Sequence, residues 1–148
     1  MLKEALIKIF ERDLQKLRTE IELYKDENNL WLVKEGISNS AGNLCLHLLG
    51  NLNHFIGAML GHTGYVRQRE DEFKLKNIPR QYLITNINDC ILTVKESLQH
   101  LPEEDLQKDF PIQVFDRTDK TDFMLVHLAT HLGYHLGQIN YHRRLLDS

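Results

Sequence analysis

Histidine is the residue type to start from. Eight occur in 148 residues, and imidazole is both the commonest metal ligand and the side chain that changes charge near neutral pH. His127, His131 and His135 follow one another at intervals of four. On an α-helix that interval stacks side chains one turn apart on a single face, about 6 Å from each other. Two imidazoles so placed can converge on one divalent ion. His47 and His54 are seven residues apart, again on one helical face, with Asn51 between them. Spacing alone leaves two readings open. One is a metal site; the other is a set of half-buried helical histidines, hydrogen-bonded to their neighbours.

The elements that carry these residues can be read from apolar period. Leu2, Leu6, Ile9, Phe10, Leu14, Leu17, Ile21 and Tyr24 draw one apolar stripe, which predicts a first helix from residue 2 to about 25. The period is lost over residues 26 to 40, where Asp26-Glu27-Asn28-Asn29 and Gly36 mark a connection. Trp31 and Leu32 lie inside it, so it is expected to pack onto the other elements. Ser38, Asn39 and Ser40 offer N-cap oxygens for a second helix from about Ala41 to His62. Gly64 and the run Arg67-Gln68-Arg69-Glu70-Asp71-Glu72 then form a second long connection; Glu70, Asp71 and Glu72 could approach the mouth of a histidine site, though such a charge run usually reads as a solvated face. Pro79 suits the first turn of a third helix, whose stripe of Leu83, Ile87, Ile91, Val94 and Leu98 ends near His100 before Pro102. Residues 103 to 120 hold a β-prone stretch, Ile112 to Phe115, extended or folded into a small hairpin. Thr118, Asp119 and Thr121 could cap a fourth helix from about Asp122 to Leu146, with Arg143 and Arg144 complementing the negative end of its dipole. The expected fold is all-α: a four-helix bundle with long connections, built as one domain over residues 1–148, with crossovers rather than simple hairpins.

Composition narrows the function. The formal net charge is −3 and the basic residues are scattered, so nothing supplies the positive field that nucleic-acid binding needs. No run approaches the roughly 20 apolar residues of a membrane span. The first residues, Met1-Leu2-Lys3-Glu4, are too charged for a secretory signal, and a cytoplasmic protein is expected. Cys45 and Cys90 form no CxxC pair and are expected to be free, buried thiols.

Two segments resemble a known family. Leu30-Trp31, followed by Asn39-Ser40-Ala41-Gly42-Asn43-Leu44-Cys45-Leu46-His47-Leu48-Leu49-Gly50-Asn51-Leu52, is similar to the second-helix signature of DinB/YfiT-like proteins. His131-Leu132-Gly133-Tyr134-His135-Leu136-Gly137-Gln138-Ile139 resembles their fourth-helix signature, a His-x-x-x-His followed by Gly-Gln. Length and helical plan agree over nearly the whole chain. The resemblance implies a metal triad of His47, His131 and His135. The family often has His-His-Arg before Gly-Gln; here Tyr134, His135 and Leu136 stand there, so the ligand is kept while the flanking His and Arg are lost. That departure bears on any substrate carried over. His127 is expected beside the site, since one ion is rarely met by three successive turns of a straight helix. His54, two turns or about 10.5 Å along the axis from His47, is too far to share the ion easily and is expected instead as a residue of the surrounding pocket. Asn51 and Gln138 either line the pocket or are buried amides satisfied by backbone.

Three neutral imidazoles would leave a divalent ion its full charge and an open position. Zinc or nickel is favoured by the donor set, with iron or manganese as alternatives. Such a position can bind a thiol and deprotonate it, or bring a water pKa toward about 7. The resemblance implies metal-dependent transferases and isomerases that use low-molecular-weight thiols. The leading expectation is therefore a thiol S-transferase acting on a small molecule. A metal-dependent hydrolase and a non-catalytic, metal-binding stress-response module are the alternatives. Gly57 with Gly61, and Gly133 with Gly137, put small residues one turn apart. The second pair lies on the far side of its helix from the ligands, and a homodimer is expected there.

Overall fold

The computed structural model describes all 148 residues, Met1–Ser148. It is all-helical, with four long helices and one short one. They are α1 (Leu2–Leu23), α2 (Ala41–Leu52), α3 (Arg69–Lys74), α4 (Arg80–His100) and α5 (Thr121–Leu146). The apolar stripes face inward as their periods require. Leu6, Phe10, Leu14, Leu17 and Ile21 of α1 meet Leu44, Leu48 and Leu52 of α2, Leu83, Ile87, Val94 and Leu98 of α4, and Leu125, Leu128, Leu132 and Ile139 of α5 in one buried core. No helix is long and apolar enough to cross a membrane.

Helix α1 packs on α4 and α5, and α2 packs on α3, α4 and α5. The long helices therefore run α1, α4, α2, α5 around the bundle, which places α1 diagonal to α2. The chain must cross an end of the bundle to join that pair, and this is why residues 24–40 form a long connection. It is far from loose. A 3₁₀ turn (Glu27–Trp31) is capped by the Asp26 carboxylate, which accepts from the Asn28 N–H at 2.9 Å, and Leu30 is fully buried. Trp31 lies against Gly42 of α2, where a Cβ would come within 2.7 Å of the indole ring. Leu32, expected to pack, is exposed. Ser40 caps α2: its Oγ accepts from the Asn43 N–H at 3.1 Å.

Three expectations are corrected. Helix two does not run as regular α-helix to His62. The α-winding ends at Leu52 and a π-helical segment, Asn53–Ala58, follows. There Gly57 approaches Thr93 of α4, and a Cβ on Gly61 would overlap the Ser97 hydroxyl, so these two glycines serve close packing inside the bundle. The charge run is not simply a solvated connection. Residues 69–74 form α3, and Glu72 within it is buried. Of the two forms open to the β-prone stretch, the small hairpin is the one found: Val114 and Arg117 bridge, with Phe115 and Asp116 at its tip at φ 59° and 56°. Of the suggested caps before α5, none caps it; Thr121 is its first residue and donates its hydroxyl to the Lys108 carbonyl at 3.0 Å.

Candidate metal centre

Helix α2 contributes His47, which is buried, and α5 contributes His131 and His135, which are half-buried. Their rings stand nearly edge-on to one another, at interplanar angles of 76° to 88°. The Nε2 atoms point inward. His131 Nε2 lies 3.2 Å from His47 Nε2 and 3.1 Å from His135 Nε2, and the three donor atoms all fall within 4.8 Å of one another. Three nitrogens at about 2.0–2.1 Å from a tetrahedral ion are separated by roughly 3.3–3.4 Å. The two short separations approach that figure.

Hydrogen-bond partners decide the tautomers. His47 Nδ1 lies 3.0 Å from Glu72 Oε1, an acceptor, and 3.4 Å from Arg67 Nη2, whose shorter bond goes to that same oxygen, so Nδ1 carries the proton and leaves the Nε2 lone pair facing inward. His135 Nδ1 lies 2.7 Å from Gln138 Oε1 and does the same. His131 Nε2 thus meets two lone pairs and could donate to only one of them. A shared cation satisfies all three nitrogens at once. The two buried polar side-chain atoms without a partner, Asn51 Oδ1 and His131 Nδ1, both belong to residues singled out for this site. The donor set fits a divalent metal.

Electrostatics keep these donors available. Burial, reinforced by the neighbouring His135, His47 and His127, pushes the His131 pKa down to about 4. Burial also lowers His135, against an opposing hydrogen bond from Gln138. Both are neutral imidazoles at pH 7. Burial alone would raise the Glu72 carboxyl, but hydrogen bonds from His47 and Arg67 together with the Arg67 charge hold it below the usual carboxylate range.

The remaining predicted residues fall around this centre, not in it. His127 stacks over His131, with ring centroids 6.4 Å apart, and its other side meets Phe115 at the strained hairpin tip. His54 packs on Phe55 and does not join the cluster. Gln138 supports a ligand, as its spacing allowed. Phe73 and Tyr134 lie against His47 and His135, at 4.9 and 5.4 Å between centroids, so the rim is largely aromatic. Cys45 and Cys90 are free and buried away from solvent, and burial raises both thiols, Cys90 to about 12. Neither is a ready nucleophile.

Sequence reasoning reached Glu72 only as one of three acids that could approach the mouth of the site, and missed Arg67 and Phe73 beside it. The signal was a charge run on a segment with Gly50 opposite it, which becomes informative only once the two segments are known to touch. It also missed a second buried histidine. His142 accepts the Tyr24 hydroxyl at Nδ1 (2.6 Å) and donates from Nε2 to the Leu32 carbonyl (2.8 Å), tying the first connection to α5.

The fold is an all-α bundle in which three histidines from two helices converge closely enough that they could hold a metal ion. The chain belongs to the DUF1572 family, described as "Protein of unknown function (DUF1572)", which matches residues 3–148 and is a DinB-like family. No curated protein matches the chain significantly.

Proposed function

We propose that the protein is a divalent-metal-dependent enzyme of the DinB/YfiT type, a thiol S-transferase that joins a low-molecular-weight thiol to a small electrophile. The convergence of His47, His131 and His135 Nε2 carries this reading. A zinc or nickel ion bound there would supply a Lewis-acidic open position at which a thiol is acidified. In the overall reaction the thiol sulfur forms a bond to the electrophilic carbon, the leaving group departs with its bonding pair, and the thiol proton passes to solvent. The chain's own part is to hold two of the three donors, His47 and His135, in fixed tautomers through Glu72 and Gln138. Its aromatic rim of Phe73, Tyr134 and Phe115 offers apolar surface to the electrophile's body. Hydrolysis is the weaker alternative. A hydrolase needs a carboxylate or imidazole free to take a proton from water; Glu72 is already engaged on both oxygens by His47 and Arg67, which leaves that role to His127 beside the centre.

We place the active species in the cytoplasm as a homodimer associating through the open strip at Gly133 and Gly137. The experiment that tests the function is turnover of a chromogenic aryl halide by zinc- or nickel-loaded protein, with and without added small thiols. Turnover that needs both metal and thiol supports the transferase. Ester hydrolysis by the loaded protein without thiol would favour the hydrolase, and inactivity in both assays would favour a non-catalytic module.

A further inference from the structure

We propose that Arg67 and Glu72 form a positioning pair for His47, so that the connection between α2 and α4 is a working part of the metal centre. This rests on the metal-binding half of the reading above and is independent of the reaction.

A histidine ring can present either nitrogen, and free histidine favours the proton on Nε2. At His47 that tautomer would point N–H at the other two donors. Glu72 Oε1 reverses the preference by taking the proton at Nδ1. Helix α2, which carries His47, does not supply that acceptor; α3 does. What holds α3 in place is one face of α2. Asn43, His47 and Gly50 stand at i, i+4 and i+7, a single stripe. Asn43 Nδ2 donates to the carbonyls of Glu72 and Leu75, at 2.9 and 2.8 Å. His47 donates to the Glu72 side chain. Gly50 leaves the space the carboxylate occupies: a Cβ there would overlap it. Arg67 closes the arrangement from the other side. Its Nε donates to Glu72 Oε2 at 2.8 Å and its Nη2 to Oε1 at 3.0 Å, a fork that sets the plane of the carboxylate. The guanidinium is itself steadied over the Phe55 ring, 5.8 Å from its centroid. The pair is deeply placed, with side-chain exposures of 12% for Arg67 and 6% for Glu72. A buried pair of this kind is a poor source of stability, because desolvation offsets much of its attraction. Orienting a ligand is a reason to keep it. Partners that hold the outer nitrogen of a ligating histidine typically change metal affinity by about 10- to 100-fold when removed.

The test has two readouts. The first is the His47 tautomer in metal-free protein, from long-range nitrogen–proton NMR correlations. The second is zinc affinity by competition with a chromophoric chelator. Wild type is expected to show His47 protonated at Nδ1 and to bind zinc. Glu72→Ala is expected to return His47 toward the Nε2–H form and weaken zinc by about 10- to 100-fold. Gly50→Ala, which alters neither ligand nor pair, is expected to do the same by displacing the carboxylate. Glu72→Gln keeps one acceptor oxygen at the same reach, so it is expected to restore the Nδ1–H form. Zinc affinity within twofold of wild type in both alanine variants, or an Nε2–H His47 in metal-free wild type, overturns the positioning role. Failure of wild type itself to bind zinc overturns the metal reading, and this proposal with it.

Discussion

Replacing His131 by alanine separates the two things its imidazole does. In the metal-free protein it is a burden as well as a contact. Its Nδ1 is buried without a partner, and an unsatisfied buried polar atom costs about 1–3 kcal/mol. Truncation also removes the packing of a half-buried ring, an opposing loss of similar size. The metal-free variant is therefore expected to match wild type within about 1 kcal/mol. With zinc the comparison changes. Ligand at 100 times its dissociation constant stabilises the folded state by about 2.7 kcal/mol. A domain of this length unfolds with an entropy of roughly 0.3 kcal/mol/K. Wild type should thus gain about 9 °C in melting temperature. His131→Ala keeps only His47 and His135, whose nitrogens are not the close pairs, and should gain almost nothing. The assay is thermal unfolding by circular dichroism at pH 7.5, on chelator-treated protein with and without zinc. His131 is neutral at that pH, since its pKa is pushed to about 4. An equal zinc shift in both proteins, or none in wild type, would refute the reasoning.

Three further outcomes are expected. His131, His135 and His142 are all held below the ordinary histidine pKa of about 6.5, chiefly by burial. As pH falls through about 6.5 the unfolded chain takes up protons that the folded protein refuses until lower pH, near 4 for His131, so the metal-free fold loses stability across that window. Urea midpoints at pH 7.5 and 5.0 measure this, and equal values would contradict it. The Asp147 carboxylate accepts from the Lys25 and Asp26 N–H groups and from Asn29 Nδ2, at 2.7, 3.2 and 3.0 Å. Asp147→Ala should cost about 1–3 kcal/mol in urea unfolding, and an unchanged midpoint would show that this clasp is idle. Light scattering at micromolar concentration should give the mass of two chains. Because a Cβ at Gly137 meets nothing within 4 Å, Gly137→Leu should split that dimer while leaving the helical spectrum intact; a mass of one chain for wild type would remove the dimer.

The long helices were legible because amphipathic period is a local property. The stripe from Leu6 to Ile21 has one way to be buried, and residues three and four apart share a face whatever the rest of the chain does. The His131 and His135 pair was legible for the same reason, since one turn of α5 brings their side chains together without help. His47 was different. Its spacing from His54 pointed to a shared face, and only the resemblance of its segment to a known signature joined it to α5. The structure then brought its Nε2 to 3.2 Å from His131.

Other features could not be read along the chain. Residues 67–72 have the composition of a solvated surface, and nothing local distinguishes Glu72 from Glu70 or Asp71. Burial came from Gly50 and Asn43, on a different element. The same is true of Tyr24, His142 and Asp147, whose bonds join opposite ends of the sequence. The circuit α1, α4, α2, α5 is likewise invisible to helical period, which says which face of a helix is apolar but not which partner covers it. The helices, their inward faces and a pair of imidazoles one turn apart follow from local residue order, because these depend on backbone geometry over a few residues. The tautomers of His47 and His135 and the acid that supports His47 came from the tertiary structure alone, because they depend on contacts between segments that share no local geometry.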